Sequence, residues 1–172
     1  MKPTISILVE NSFGAFDRIA TMFSAKGFNL HSLSVGETEI RDISRMTIVT
    51  SGDDQIIAQV VKQLNRLVDT IKVVDLTGEE RTERELALIS VNYQSASLEE
   101  LKNISDIFRG KVVDINNKTI TLEITGPPAK VNAAVNVLMP YGILEMVRSG
   151  TVALRRGEQK KAIKKEIDSI TI

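Results

Sequence analysis

Few residues in this chain can do chemistry. Its only histidine is His31, and it has no cysteine and no tryptophan, so Cys/His pairs, thiolate nucleophiles, thiolate metal centres and disulfides are excluded at once. The paired carboxylates Asp53-Asp54 and Glu99-Glu100 have the composition of a general acid–base pair. Both pairs fall where a helix pattern begins, however, and the helix dipole accounts for acidic residues there. His31 falls on a strand pattern and reads as structural. No G-x-S-x-G, P-loop, G-x-G-x-x-G or H-E-x-x-H is present. What remains is "ENSFGAFDRI", residues 10–19, between an alternating apolar run and a helical one. A turn of this kind leads into a helix N-terminus, whose unpaired N–H groups and partial positive charge receive a small anion such as a carboxylate. Gly14 has no Cβ to block a ligand's approach to the backbone, and Asn11 both donates and accepts, which suits a group carrying ammonium and carboxylate. The plainer reading is that Asn11 opens an Asx-turn and Gly14 relieves a tight bend. Asn29, just past the Gly27 that ends the same helix pattern, has the same two readings.

The elements that must position these residues follow from periodicity. "TISILVEN" puts Ile5, Ile7 and Val9 on one face at period two, a strand; Phe16, Ile19, Ala20 and Phe23 then keep helical spacing, and Gly27 ends the helix in a left-handed turn. "NLHSLSVGETE" and "SRMTIVTSG" predict two strands, Asp53 and Asp54 open a helix striped by Ile56, Val60, Leu64 and Leu67, and "TIKVVDLTG" closes the unit. The order β-α-β-β-α-β over residues 1–78 is the split βαβ arrangement of ferredoxin-like folds, an antiparallel four-stranded sheet packed on two helices. "EERTERE" contains no apolar residue and reads as a linker over 79–84.

The order then repeats over 85–157. "ELALISVNY" predicts a strand, Ser97 and Glu100 form a capping box ahead of Leu101, Ile104, Ile107 and Phe108, and Asn116-Asn117 turns a hairpin inside "KVVDINNKTITLEITG". Pro127 and Pro128 start a helix that Pro140 and Gly142 stop, and "ILEMVRSGTVAL" returns as a strand. The fold class is therefore α+β, two tandem ferredoxin-like domains, with a charged tail over 158–172.

Composition removes several classes of function. The 172 residues are 42% hydrophobic, with 22 basic and 22 acidic side chains, so no overall charge draws the chain to nucleic acid or to an anionic membrane. RNA-recognition modules share this element order, but they present sheet aromatics. Here aromatics are 4% of residues, the helical stripes claim Phe16, Phe23 and Phe108, and no K/R-G-F/Y strand appears. The N-terminal apolar run is too short for a signal peptide or a membrane span, so a cytoplasmic location is expected. A small ferredoxin-like hydrolase would need an anion-binding loop with a committed arginine; Arg18 is the nearest, one turn inside the helix.

A resemblance joins these pieces. "ILVENSFGAFDRIATMFSAKGFNLHSLSV" resembles the opening of the small, regulatory subunits of acetolactate synthase, which carry E-N-x-x-G-A-L-x-R, then G-[YF]-N-I-x-S-L, then S-R-M-T-I. Here these are Glu10, Asn11, Gly14, Ala15 and Arg18; Gly27, Phe28, Asn29, Ser32 and Leu33; and Ser44 to Ile48. "KQLNRLVD", "DIFRGKVVD" and "VRSGTVALRRG" resemble later blocks of the same family. The resemblance implies an amino-acid-sensing ACT domain over 1–78, no active site, and no cofactor in this chain. A separate catalytic subunit is expected to hold thiamine diphosphate, magnesium and FAD, to be activated by this chain, and to become sensitive through it to valine or another branched-chain amino acid. The resemblance also implies a homodimer through the ACT domains. The effector would lie between Asn11, Gly14, Ala15 and Phe16 of one copy and Asn29 and Leu30 of the other. Phe16, Leu30 and His31 depart from the family pattern, the first two where the effector's side chain is expected. The alternative is a free-standing ACT-type regulator of another enzyme or of a transcription factor.

Overall fold

The structure, a computed structural model, describes residues 2–93 and 97–157. The described residues divide into two compact units, one of 2–82 with 152–157 and one of Glu83–Thr151. The charged tail expected over 158–172 lies outside the described residues.

In the first unit β1 (Thr4–Glu10) leads into α1 (Ala15–Lys26), followed by β2 (Leu30–Glu37), β3 (Ile43–Thr50), α2 (Asp54–Leu64) and β4 (Thr70–Asp75). The sheet is antiparallel in the order β2-β3-β1-β4, the ferredoxin-like arrangement, which leaves β2 at an edge. Ile5, Ile7 and Val9 of β1 pack with Ile19 and Phe23 of α1 and Val60 of α2 in one buried cluster. Each such side chain contributes about 1.5–3 kcal/mol on leaving water. α2 is capped as its sequence predicts, the Asp53 side chain accepting from the Ile56 amide at 2.9 Å, and α1 ends at Gly27 with φ +66°. Phe16 departs from the expected stripe. The buried face of α1 is Ala15, Ile19 and Phe23, while Phe16 is 50% exposed.

The second unit repeats the order with β5 (Arg81–Asn92), α3 (Leu98–Ile107), β6 (Lys111–Ile115), β7 (Thr119–Gly126), α4 (Pro128–Leu138) and β8 (Ile143–Arg148). Its sheet runs β6-β7-β5-β8, over a core that includes Ile89, Val91, Leu101, Leu122, Ile124 and Val131. The Asn116 side chain accepts from the amides of Lys118 and Thr119 at 2.9 and 3.0 Å and so closes the predicted hairpin.

Two boundaries differ from the sequence reading. The stretch expected as a linker over 79–84 already contains the start of β5 at Arg81, where charged residues alternate along an extended backbone before the buried Glu85 and Ala87. "ILEMVRSGTVAL" forms two strands, β8 and then β9 (Val152–Arg155), because Gly150 turns the chain with φ +76°. β9 pairs with β5 as a fifth strand, and by its contacts it is grouped with the first unit. There the Arg156 amide donates to the Glu80 carbonyl at 2.8 Å and Arg155 pairs with Glu79 at 2.6 Å.

Candidate functional site

The turn from β1 to α1 is built by backbone conformation. Gly14 is the N-cap of α1 and has φ +80°, a left-handed value that glycine adopts freely and a side chain does not. It therefore supplies no capping side chain. The Ala15 amide donates back to the Ser12 carbonyl at 3.2 Å and the Arg18 amide to the Gly14 carbonyl at 3.0 Å. The intervening amides of Phe16 and Asp17 are left without an acceptor among the described residues. Two unpaired N–H groups at the positive end of a helix form a receptor for a carboxylate.

Three charged and polar side chains hold this turn. Arg18 Nε and Nη2 donate to Asp69 Oδ2 and Oδ1 at 2.5 and 2.7 Å, a two-pronged pair, and the Ser12 hydroxyl donates to Asp69 Oδ1 at 2.5 Å. Arg18 Nη2 also donates to the Phe13 carbonyl at 3.2 Å, and the Glu10 amide donates to the Asp69 carbonyl at 2.9 Å. Asp69 is 7% exposed. The hydrogen bonds from Arg18 and then Ser12 lower its carboxyl to about 2 from the usual 3.8. Arg18 is thus a clamp on the turn, consumed by Asp69, and is not the free anion-binding arginine a hydrolase would need. Asp69 was missed in the sequence as a site residue. Its partners lie 51 and 57 positions away, and its only local signal was its place in "KQLNRLVD".

The residues singled out in the sequence distribute as follows. Asn11 is exposed, its amide donating to the Asp42 carbonyl at 2.7 Å, and its side chain forms no hydrogen bond among the described residues, so no Asx-turn is made. Ala15 is buried beneath the turn. Phe16 lies 50% exposed beside the open N-terminus, and the neighbouring Phe13 is fully exposed. Asn29 and Leu30 are exposed at the start of β2. The Asn29 carbonyl accepts from the Thr50 hydroxyl, and its side chain lies 3.4 Å from His31 Nε2.

One protomer does not bring the two groups together. Asn11 precedes α1 and Asn29 follows it, and that 12-residue helix separates them by about 18 Å at 1.5 Å per residue. The register agrees: Leu30 pairs with Thr50 at the Thr4 end of the sheet, while Glu10 pairs with Ile43 at the opposite end. Among the described residues no cluster of three or more His, Asp or Glu is placed to hold a metal ion, and no helix is long and apolar enough to cross a membrane.

A four-stranded ferredoxin-like unit with an open helix N-terminus on its first turn, followed by a second unit of the same order, is the architecture of an ACT-domain protein. Residues 5–72 match the family model described as the AHAS small subunit-like ACT domain, and residues 84–157 match that of the small subunit of acetolactate synthase. The chain is 53% identical to the acetolactate synthase small subunit of Aquifex aeolicus over 90% of its length and 81% of the relative's. It is 44% identical to that of Mycolicibacterium smegmatis, over 90% of this chain and 91% of the relative. The crystal structure of the acetolactate synthase small subunit from Thermotoga maritima superposes with a TM-score of 0.83 at 37% identity, covering 92% of this chain and 99% of that one. The chain belongs to the acetolactate synthase small-subunit family.

Proposed function

We propose that this chain is the regulatory subunit of a cytoplasmic, thiamine diphosphate-dependent acetolactate synthase. It has no active site of its own, raises the activity of the catalytic subunit, and transmits feedback inhibition by valine or another branched-chain amino acid. The observation that carries the effector reading is the uncapped N-terminus of α1, with free amides at Phe16 and Asp17 beside the exposed Phe16 ring and the free Asn11 side chain. The amides receive the effector's carboxylate, Asn11 meets its ammonium group, and Phe16 and Leu30 enclose an aliphatic side chain.

The separation of Asn11 from Asn29 supports a homodimer. β2 is an edge strand, and an edge must be covered or paired. Pairing two copies antiparallel through β2, about a two-fold axis, sets the Leu30 end of one strand beside the Glu37 end of the other. That is the end at which the Asn11 turn lies. The arrangement joins Asn29 and Leu30 of one copy to Asn11, Gly14 and Phe16 of its partner and creates two equivalent sites.

The test is reconstitution. The purified chain alone forms no acetolactate, the catalytic subunit alone turns over slowly, and the mixture is faster and is inhibited by valine, leucine or isoleucine. A mixture no faster than the catalytic subunit refutes the activating role, and a faster mixture that no branched-chain amino acid inhibits refutes the effector site.

A further inference from the structure

The second unit carries an open surface pocket of about 420 Å³ lined by the exposed Arg84 and Arg109 and by Lys130, together with Ile107, Phe108 and Pro127. Three cationic residues line it, and no carboxylate is among the lining residues. A surface lined by charges of one sign raises the local concentration of counter-ions and so favours an anion.

Local features of the chain place these residues at the pocket. Arg109 follows the last turn of α3 with φ +47°, a position that ordinarily takes glycine. Its amide donates to the Asp106 carbonyl at 2.9 Å and the next amide, Gly110, to the Ser105 carbonyl at 2.8 Å. The Arg109 guanidinium itself forms no hydrogen bond or ion pair among the described residues. Lys130 lays its stem across Gly126, where a Cβ would come within 2.4 Å of Lys130 Cδ, and its ammonium donates to the Thr125 carbonyl at 2.8 Å. Among the described residues Arg84 Nη1 donates to the adjacent Glu83 carbonyl at 2.7 Å and forms no ion pair. Carbonyl partners leave both charges without a carboxylate among the described residues. The N-terminus of α4 adds to the field without carrying the site: Pro127 gives no side-chain cap.

We propose that this pocket binds a small molecule through a phosphoryl group, with Arg109 and Lys130 as direct ligands, Arg84 as a longer-range charge, and Phe108 and Ile107 against the ligand's apolar part. Guanidinium forks match phosphate oxygens in geometry as well as charge. The site lies wholly in the second unit and is separate from the amino-acid site proposed above.

The test titrates the full-length chain with inorganic phosphate, using chloride at matched ionic strength as the control and following backbone amide resonances. Saturable shifts at Gly110, Gly126 and Ala129 that chloride does not reproduce support the site. Inorganic pyrophosphate in a parallel titration distinguishes free phosphate from a larger phosphorylated ligand as the occupant. Arg109→Gly places the residue that best tolerates φ +47° at that position, so the fold is retained while affinity falls about tenfold or more. Lys130→Gln gives a second loss by another route, and Asn11→Ala leaves phosphate binding unchanged. Shifts that merely track ionic strength, or equal phosphate affinity in the wild type and in Arg109→Gly, overturn the proposal.

Discussion

The first helix of each unit begins in a different way. In the second unit α3 starts at Ser97, whose hydroxyl accepts from the Glu100 amide at 3.1 Å, so a side chain of the helix start takes up one of its amides. In the first unit α1 starts at Gly14, which has no side chain, and two amides stay open. The two units share an element order, yet one places a capping side chain where the other, with a glycine, leaves room for a ligand. The second pair of helices reverses the pattern: α2 is capped by Asp53, while α4 starts at Pro127 with no side-chain cap and borders the cationic pocket. Each unit therefore leaves one helix N-terminus uncapped, and a candidate ligand site lies at each. Repetition of a fold does not repeat its function, because function depends on the side chains each unit places around its turns.

The largest effect should come from Gly14→Asp. The substituted residue must hold φ +80°, and its Cβ would lie 3.1 Å from Arg18 Nη1, so the clamp to Asp69 is disturbed as well. A left-handed side chain costs about 1–2 kcal/mol, and a carboxylate at the helix start occupies the amides the effector needs. Valine inhibition is expected to vanish and the melting temperature to fall together, in an inhibition curve and a thermal scan on one preparation. Because stability also changes, this variant alone does not separate a binding role for Gly14 from a conformational one.

Asn11→Ala makes that separation. Its side chain has no hydrogen-bond partner among the described residues, so stability should stay within about 0.5 kcal/mol of wild type. The valine concentration for half inhibition should rise about tenfold or more, as expected on losing a hydrogen bond to a charged group. Unchanged inhibition would remove Asn11 from the site. Ser97→Ala is the counterpart in the other unit: a lost N-cap costs about 1 kcal/mol, read as a lower urea midpoint, and leaves valine inhibition untouched. If Ser97→Ala weakened inhibition as strongly as Asn11→Ala, the contrast between the two helix starts would fail.

Local pattern carried most of the fold, because strands and helices here are amphipathic and their ends are marked by Asp53, Ser97, Gly27 and Asn116. What it misread was decided elsewhere. Phe16 has helical spacing with Ile19 and Phe23, but one face of α1 packs on the sheet and Phe16 lies outside it. "RTERE" looks like a linker because a strand that buries little early on needs no apolar residues there. Asn11 and Gly14 were legible as a turn, and the resemblance linked them to Asn29. That the two ends lie a helix length apart in one chain, and that Asp69 grips the turn, are facts of tertiary pairing that no local spacing encodes.

The smallest effect concerns the clamp and appears only in acid. Asp69 titrates near 2 in the folded chain against 3.8 ordinarily, so the stability it contributes is fully present above 3.8. It is lost as pH falls through 3.8 toward 2, when the unfolded chain takes up the proton first. Ser12→Ala removes the lesser of the two hydrogen bonds that lower this carboxyl and leaves the larger, from Arg18, in place. The folded value should rise from about 2 while staying below 3.8, narrowing the pH window over which stability declines. Carboxyl resonances of Asp69, followed from neutral pH into acid, report this directly. Urea midpoints of variant and wild type should differ by a constant small amount at neutral pH and converge only in acid. Valine inhibition at neutral pH should be preserved, since Asp69 is ionised in both proteins and Arg18 still holds the Phe13 carbonyl. An Asp69 titration unmoved by Ser12→Ala would show that Arg18 alone sets the clamp, and loss of inhibition at neutral pH would show that Ser12 belongs to the ligand site itself.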